Sequence, residues 1–422
     1  MLIARWSIRS ALTEGLLLVW LLADQGVFAL TNFISNVLFA RWLLPVDYGM
    51  FAVSFSGYLL LTVWHFGAIL EPLLVQSAQV SPKRQRSFIQ VLIVAHLILI
   101  TAISGLATAG FVIASYFDFP ETGWAILGAG IGGSLMCTLL SARRLCLVFL
   151  STKVSALVGL LYMVGVVGTT YLLHHYSEIS WFDLWLIMGG WSFLCSVIIF
   201  GLLYRALYGV EAFSLIELFR FQWHYARFGM IAATCSWFRV DGVMLMLAHY
   251  AGLEVIAQTR AVLNIANPVI QVNLALYTSW LVDFSRDSTW NHLRNKAMIY
   301  LVAAIFVCLV AFAIATPVVH LVYNGRYLDG AWLLPIYCIA VMFNGIESVF
   351  TCFLKAVRAM WTGYAPQVAG SVFSIIVGFA VVPLFGDGGA VYTVAASFII
   401  GAGLAFYLVR VRAKTIASLP GW

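Results

Sequence analysis

Residues 260–280, RAVLNIANPVIQVNLALYTSW, are long and apolar enough to cross a bilayer, yet they carry Arg260, Asn264, Asn267, Gln271 and Thr278. At 100° per residue these five fall within about 60° of one another on a helix. An arginine at the centre of a membrane helix costs about 2.5–3.5 kcal/mol on insertion scales, so it needs water or a partner. Amides offer donors and acceptors to hydroxyl-rich ligands, and a guanidinium suits phosphate oxygens. The stripe is a candidate lining for a wet, substrate-binding cavity. Polar contact between helices is the plainer alternative.

Similar chemistry recurs elsewhere. In DQGVFALTNFISN the residues Asp24, Gln25, Thr31, Asn32, Ser35 and Asn36 share one side of a helix. Asp24, Gln25, Asn32 and Arg239 join the candidate cavity residues. Ser54, Tyr58, Thr62 and His65 lie roughly on one face, and Glu71 precedes Pro72. Arg239 and Asp241 are separated by about 160° around a helix, so each needs its own partner. Asn344, Glu347, Ser348, Thr351 and Lys355 make a further polar face at helical spacing. Asp24, His65, Glu71, Asp241 and Glu347 are the candidate coupling or gating groups, and H⁺ or Na⁺ is the ion they could take.

These groups sit in an unusually apolar chain. Of 422 residues 63% are hydrophobic and 9% charged, against roughly 25% charged in soluble domains. Apolar runs recur at 15–43, 48–75, 88–115, 124–142, 154–173, 184–204, 228–250, 253–282, 297–323, 331–354, 364–385 and 389–409. Each can span a hydrocarbon core of about 30 Å. With the N-terminus cytoplasmic, 19 of the 23 Lys and Arg fall in cytoplasmic segments. That asymmetry places both termini inside and requires an even number of spans. The run after Arg5 and Arg9 continues to about Leu44 and reads as a first span rather than a cleaved signal. The segment 205–227 suits an interfacial helix joining two six-helix lobes, 1–208 and 209–422.

Several chemistries are excluded or disfavoured. GAGIGG at 128–133 matches G-x-G-x-x-G in letters, but no strand precedes it, and Gly128 and Gly132 fit close helix packing instead. The chain has no P-loop, nucleophile elbow or HExxH. Seven scattered cysteines form no CxxC pair, which argues against a disulfide framework or zinc site. The distribution of the net charge of +6 fits membrane topology rather than nucleic acid.

The stretch DQGVFALTNFISNVLFARWLLPVDYGMFAV (24–53) resembles the N-terminal signature of bacterial polysaccharide flippases in the multidrug/oligosaccharidyl-lipid/polysaccharide exporter (MOP) superfamily. There the first span ends in Ala-Arg, followed by a small-Pro-acid-x-Tyr-Gly turn. Arg41, Pro45, Asp47, Tyr48 and Gly49 occupy those places. VDGVMLMLAHYAGLEVIAQTRAVLNI is similar to the family's hairpin of spans seven and eight, and HLVYNGRYLDGAWLLPIYCIA (320–340) to its link between spans nine and ten. Asn324 before Gly325, and Ile256 where glycine is common, depart from the pattern. The resemblance covers nearly the whole chain. It implies an all-α, twelve-helix, two-lobed, V-shaped transporter of the bacterial inner membrane, resembling the MATE exporters, with no catalytic residue, metal or cofactor. It further implies flipping of undecaprenyl-pyrophosphate-linked oligosaccharide from the cytoplasmic to the periplasmic leaflet for surface polysaccharide synthesis, beside polysaccharide polymerase machinery. A cation-coupled multidrug exporter on the same scaffold is the alternative, and a membrane-embedded polymerase or ligase a further one.

Overall fold

The computed structural model describes residues 2–70, 82–207, 230–287, 289–357 and 360–417. Glu71, the side chain of Thr278 and residues 208–227 of the expected interfacial helix lie outside them. The described residues are helical and contain no strand. The helices are α1 (Leu2–Trp42), α2 (Pro45–His65, continued by a π turn at Phe66–Leu70) and α3 (Pro82–Tyr116). Helix α4 joins Pro120–Leu127, a π turn at Gly128–Gly132, and Gly133–Phe149. There follow α5 (Thr152–Tyr176), α6 (Trp181–Leu207), α7 (Met230–Ala251), α8 (Leu253–Asn264) and α9 (Asn267–Arg286). Helices α10 (Trp290–Tyr323), α11 (Leu333–Ala356) and α12 (Met360–Ala417) complete the chain, and α12 is divided into two limbs at Gly386.

Among the described residues nine helices are long and apolar enough to cross a membrane, and one of them, α12, has two limbs. With α1 and the broken pair α8–α9 these account for the twelve expected spans. The outward faces carry large apolar side chains. On α10, Ile299, Val302, Phe306, Leu309 and Phe312 are all exposed. A face so apolar is a hazard in water but the natural boundary of a protein solvated by lipid. The chain is a multi-pass membrane protein.

The helices cluster into two compact units. The first comprises Met1–Ser35 and Gly57–Met230, the second Asn36–Ser56 and Ile231–Trp422. In the first unit the glycines of GAGIGG admit an aromatic ring: Cβ atoms on Gly128 and Gly132 would lie 2.7 and 2.8 Å from the buried Trp185. That is the close packing expected of this sequence, on a π turn of α4 rather than beside a nucleotide.

The second unit gathers residues far apart in sequence. Helix α10 ends at Asn324, which adopts left-handed geometry (φ 52°) before Gly325 (φ 83°). Asparagine tolerates that conformation and serves as a helix terminator, so this departure from the family pattern has a local cause. The open carbonyls of the last turn, on Leu321 and Val322, accept hydrogen bonds from Arg41. A cation at a helix C-terminus also meets the negative end of the macrodipole. Arg326 returns a bond to the Leu43 carbonyl (3.0 Å), and the Tyr327 hydroxyl donates to that of Ala40 (3.1 Å). A Cβ on Gly49 would collide with the Leu253 carbonyl at the start of α8. These contacts explain why 36–56 groups with the second unit although it precedes the expected lobe boundary near 208. Below them α9, α10, α11 and the second limb of α12 bury Trp280, Phe284, Leu293, Phe353 and Val409 in one apolar cluster.

Gly49→Ala should therefore lower the thermal midpoint and folded yield of the purified protein sharply. Gly26→Ala, where the added Cβ meets nothing within 4 Å, should leave both unchanged. Equal behaviour of the two variants would contradict the close approach.

Candidate functional site

The stretch 260–280 is not one continuous helix. Pro268 lies in the first turn of α9. It has no N–H to give, and its ring opposes the carbonyl four residues back, which is that of Asn264. The ladder is interrupted by shorter-range bonds, from Ile265 N to the Val262 carbonyl (3.2 Å) and from Ala266 N to that of Leu263 (3.0 Å). A projection at uniform pitch from Arg260 to Thr278 therefore does not hold. Asn264 is buried and accepts a hydrogen bond from Asn267 Nδ2 across the break (2.6 Å), whereas Gln271 is exposed. Two residues further on, Asn273 is buried: it donates to the Val341 carbonyl (3.0 Å) and accepts from the Tyr300 hydroxyl (3.0 Å). Asn273 lies off the sequence stripe and carries no local signal; only its partners on α10 and α11 reveal it.

Three ion pairs lie inside the helices among the described residues. In the second unit, Arg260 donates to the Asp241 carboxylate and to Ser56 Oγ, while Trp237 Nε1 donates to the Ser56 carbonyl (2.9 Å). The Arg260 side chain keeps 18% of its surface exposed and that of Asp241 13%. Arg239 lies with Asp241 on a π turn of α7, Phe238–Gly242, and takes a separate partner. Its Nη1 and Nη2 donate to the two Glu347 oxygens at 3.0 and 2.9 Å, and Nη2 donates also to the Ser397 carbonyl (2.8 Å). The guanidinium lies 4.1 Å from the Phe398 ring centroid. Gly370 and Gly401, one on each limb of α12, leave it room: a Cβ there would come within 2.6 and 2.7 Å of the guanidinium.

In the first unit, Asp24 Oδ1 accepts from Arg143 Nη2 (2.7 Å) and Ser155 Oγ (2.7 Å). Gln25, itself exposed, donates to Oδ2 (3.2 Å). Asn32 is half-buried on the same helix. Asp24 and Arg260 thus each have a counter-charge within their own unit. His65 is buried against His96 of α3, a residue with no distinguishing pattern in the sequence.

A cavity of about 220 Å³ opens in the second unit beside the Arg239–Glu347 pair. Asn344, Glu347, Ser348 and Thr351 line it from α11, and Gln367 closes it from α12. The four α11 residues were legible from their spacing. Gln367 was not, because nothing in its neighbourhood distinguishes it from any polar residue near a helix end. Lys355 lies beyond, donating to the Tyr277 hydroxyl (2.9 Å). Both Glu347 oxygens are engaged by Arg239, so the cavity offers amides, hydroxyls and the Tyr337 and Phe398 rings, and no free carboxylate among its lining residues.

No family model and no curated protein matches the sequence. Solved structures match it over nearly its whole length. The lipid II flippase MurJ in an inward closed conformation aligns with TM-score 0.74 and 14% identity over 93% of this chain and 87% of that one. The fold is that of the MOP-superfamily transporters. An outward-facing multidrug resistance MATE family transporter of that superfamily aligns with TM-score 0.61 and 12% identity, covering 96% of each chain. A point mutant of the Vibrio cholerae MATE transporter VcmN gives 0.64 and 13% over 96% of this chain and 98% of its own.

Removing one member of a buried ion pair strands the other, at a cost of about 3–5 kcal/mol, whereas replacing both with apolar residues is often neutral. Arg239→Met should thus depress the thermal midpoint strongly, and Arg239→Met with Glu347→Leu should recover most of the loss. A double variant no more stable than the single one would contradict a pair held by mutual neutralisation.

Proposed function

We propose that the protein is a flippase that carries undecaprenyl-pyrophosphate-linked oligosaccharide from the cytoplasmic to the periplasmic leaflet of the bacterial inner membrane. It works by alternating access and hands its substrate to polysaccharide polymerase machinery. The observation that carries this reading is the cavity of the second unit, which sets amides and hydroxyls among apolar and aromatic side chains and whose carboxylate is already neutralised by Arg239. Amides and hydroxyls exchange hydrogen bonds with sugar hydroxyls at little net cost, so a glycan is held without being trapped. A cationic drug would need a free carboxylate. Asp24, Asp241 and Glu347 are each bound to an arginine. The likeness of fold to a lipid II flippase supports a lipid-linked substrate.

Within this reading Asn344, Gln367 and the partly exposed Arg260 contact substrate, the last through the pyrophosphate. Asn264, Asn267 and Gln271 are further amides of α8 and α9 that this reading assigns to the substrate path, and the expected Thr278 side chain lies outside the described residues. The two lobes, 1–208 and 209–422, are the transporter halves, with both termini cytoplasmic. The reading needs no cofactor; were an ion coupled to the movement, H⁺ or Na⁺ is the one the carboxylates and His65 could take.

Depleting the protein should make labelled lipid-linked glycan accumulate facing the cytoplasm in a leaflet-resolved assay. Asn344→Ala and Gln367→Ala should insert normally and rescue transport about fivefold less well each, the scale of one lost hydrogen bond of about 1 kcal/mol. A normal leaflet distribution after depletion would overturn the reading.

A further inference from the structure

In the first unit two imidazoles meet in an apolar interior. His65 Nε2 lies 3.0 Å from His96 Nδ1 and 3.0 Å from Ser141 Oγ, and His96 Nε2 lies 3.1 Å from Thr138 Oγ1. Both histidines are buried, at 1% and 2% exposure. The rings stand edge to face with centroids 5.0 Å apart.

With the Thr138 Oγ1 proton given to the Ser134 carbonyl (2.9 Å), Thr138 accepts from His96, and His96 carries its proton on Nε2. His96 Nδ1 is then a bare acceptor, and the proton between the rings belongs to His65 Nε2. Ser141 Oγ shares that proton. His65 Nδ1 is left as a bare lone pair, buried and without any hydrogen-bond partner.

A buried acceptor left open in this way is costly, and one in a native structure calls for an explanation. It is the one nitrogen of the pair with a free lone pair to take a proton. An imidazolium formed there would have no acceptor for its new N–H. Among the described residues the groups facing it also lack a counter-charge. From α3 comes His96, from α4 the uncharged hydroxyls of Thr138 and Ser141, and on α2 itself Tyr58 stands two turns away. Arg143, two residues beyond Ser141, is bound to Asp24. Proton uptake thus requires an arrangement in which Nδ1 meets water or an acceptor. His65 is also the last residue of α2 before the π turn Phe66–Leu70. Such turns are local departures from helical register that recur at functional sites.

We propose that His65 and His96 form a proton-binding site that couples transport. The arrangement described here is its deprotonated state, and a proton enters at His65 Nδ1 only in a second arrangement that hydrates this nitrogen. The step forms one N–H bond, places one positive charge on the His65 ring and consumes one proton from water. The sign follows from linkage: the second arrangement binds one more proton, so falling pH shifts the population toward it, by up to about tenfold per pH unit. The coupling role rests on the transport reading given above; the proton site itself does not.

The test is solid-state NMR of the full-length protein, ¹⁵N-labelled at histidine, in lipid vesicles, with the His65 signal assigned by its loss in His65→Gln. At pH 8 His65 should show an unprotonated Nδ1 and a protonated Nε2; at pH 5.5 the imidazolium signature should replace it. A His65 that stays neutral at pH 5.5, or that carries its proton on Nδ1 at pH 8, overturns the proposal. Should His65→Gln fail to fold, His96→Gln assigns the pair through the altered His65 shift. In proteoliposomes an imposed pH gradient should accelerate movement of lipid-linked glycan in the wild type and lose that stimulation in His65→Gln or His96→Gln. Stimulation kept in full by both variants overturns the coupling. A titrating His65 in a protein that moves no glycan contradicts the flippase reading and leaves the proton site standing.

Discussion

A charge carried into an apolar interior must be neutralised there, and three ion pairs do so in the described residues: Asp24 with Arg143, Arg239 with Glu347, and Asp241 with Arg260. Each pair lies within one compact unit. Each is reinforced by further polar groups, such as Ser155 on Asp24, the Ser397 carbonyl on Arg239 and Ser56 on Arg260. Desolvating a lone carboxylate or guanidinium costs several kcal/mol, so the helices that bring these groups inward are obliged to meet. The packing of α7 against α8, and of both limbs of α12 around Arg239, meets that requirement.

How far the sequence foretold this depended on the range of the contact. The α11 face was readable because residues three and four apart on a helix share a side whatever surrounds them. Separate partners for Arg239 and Asp241 were readable for the same reason. The run 260–280 is two helices where its apolar length argued for one, because Pro268 removes a ladder bond at the point where the chain turns between Asn264 and Asn267. The partners themselves were not readable. Gln367, Ser397, Asn273 and His96 are chosen by the meeting of helices distant in sequence, which local periodicity does not encode. The motifs that carried the family resemblance lie between these cases. Arg41, Gly49 and the turn around Asn324 and Arg326 are ordinary apart, yet in the second unit Arg41 and Leu43 meet that turn and Gly49 meets the start of α8.

Pairing leaves an interior that is polar and locally neutral. In the second unit the cavity beside Arg239 and Glu347 presents amides and hydroxyls, with its one carboxylate turned inward to the guanidinium. Such a surface holds a neutral, hydroxyl-rich group weakly and at many points, whereas it gives an organic cation no fixed counter-charge. The MOP fold serves both a lipid II flippase and multidrug transporters, so the fold does not choose between them. The engagement of the carboxylates is the observation on which the proposed glycan reading rests.

The most direct measurement reconstitutes the purified full-length protein in liposomes and follows two probes together, a labelled lipid-pyrophosphate-linked oligosaccharide and a fluorescent organic cation. If Glu347 is committed to Arg239, the glycan should become accessible in the opposite leaflet and the cation should not accumulate, with or without an ion gradient. Cation accumulation that disappears in Glu347→Gln, with the glycan unmoved, would contradict the account.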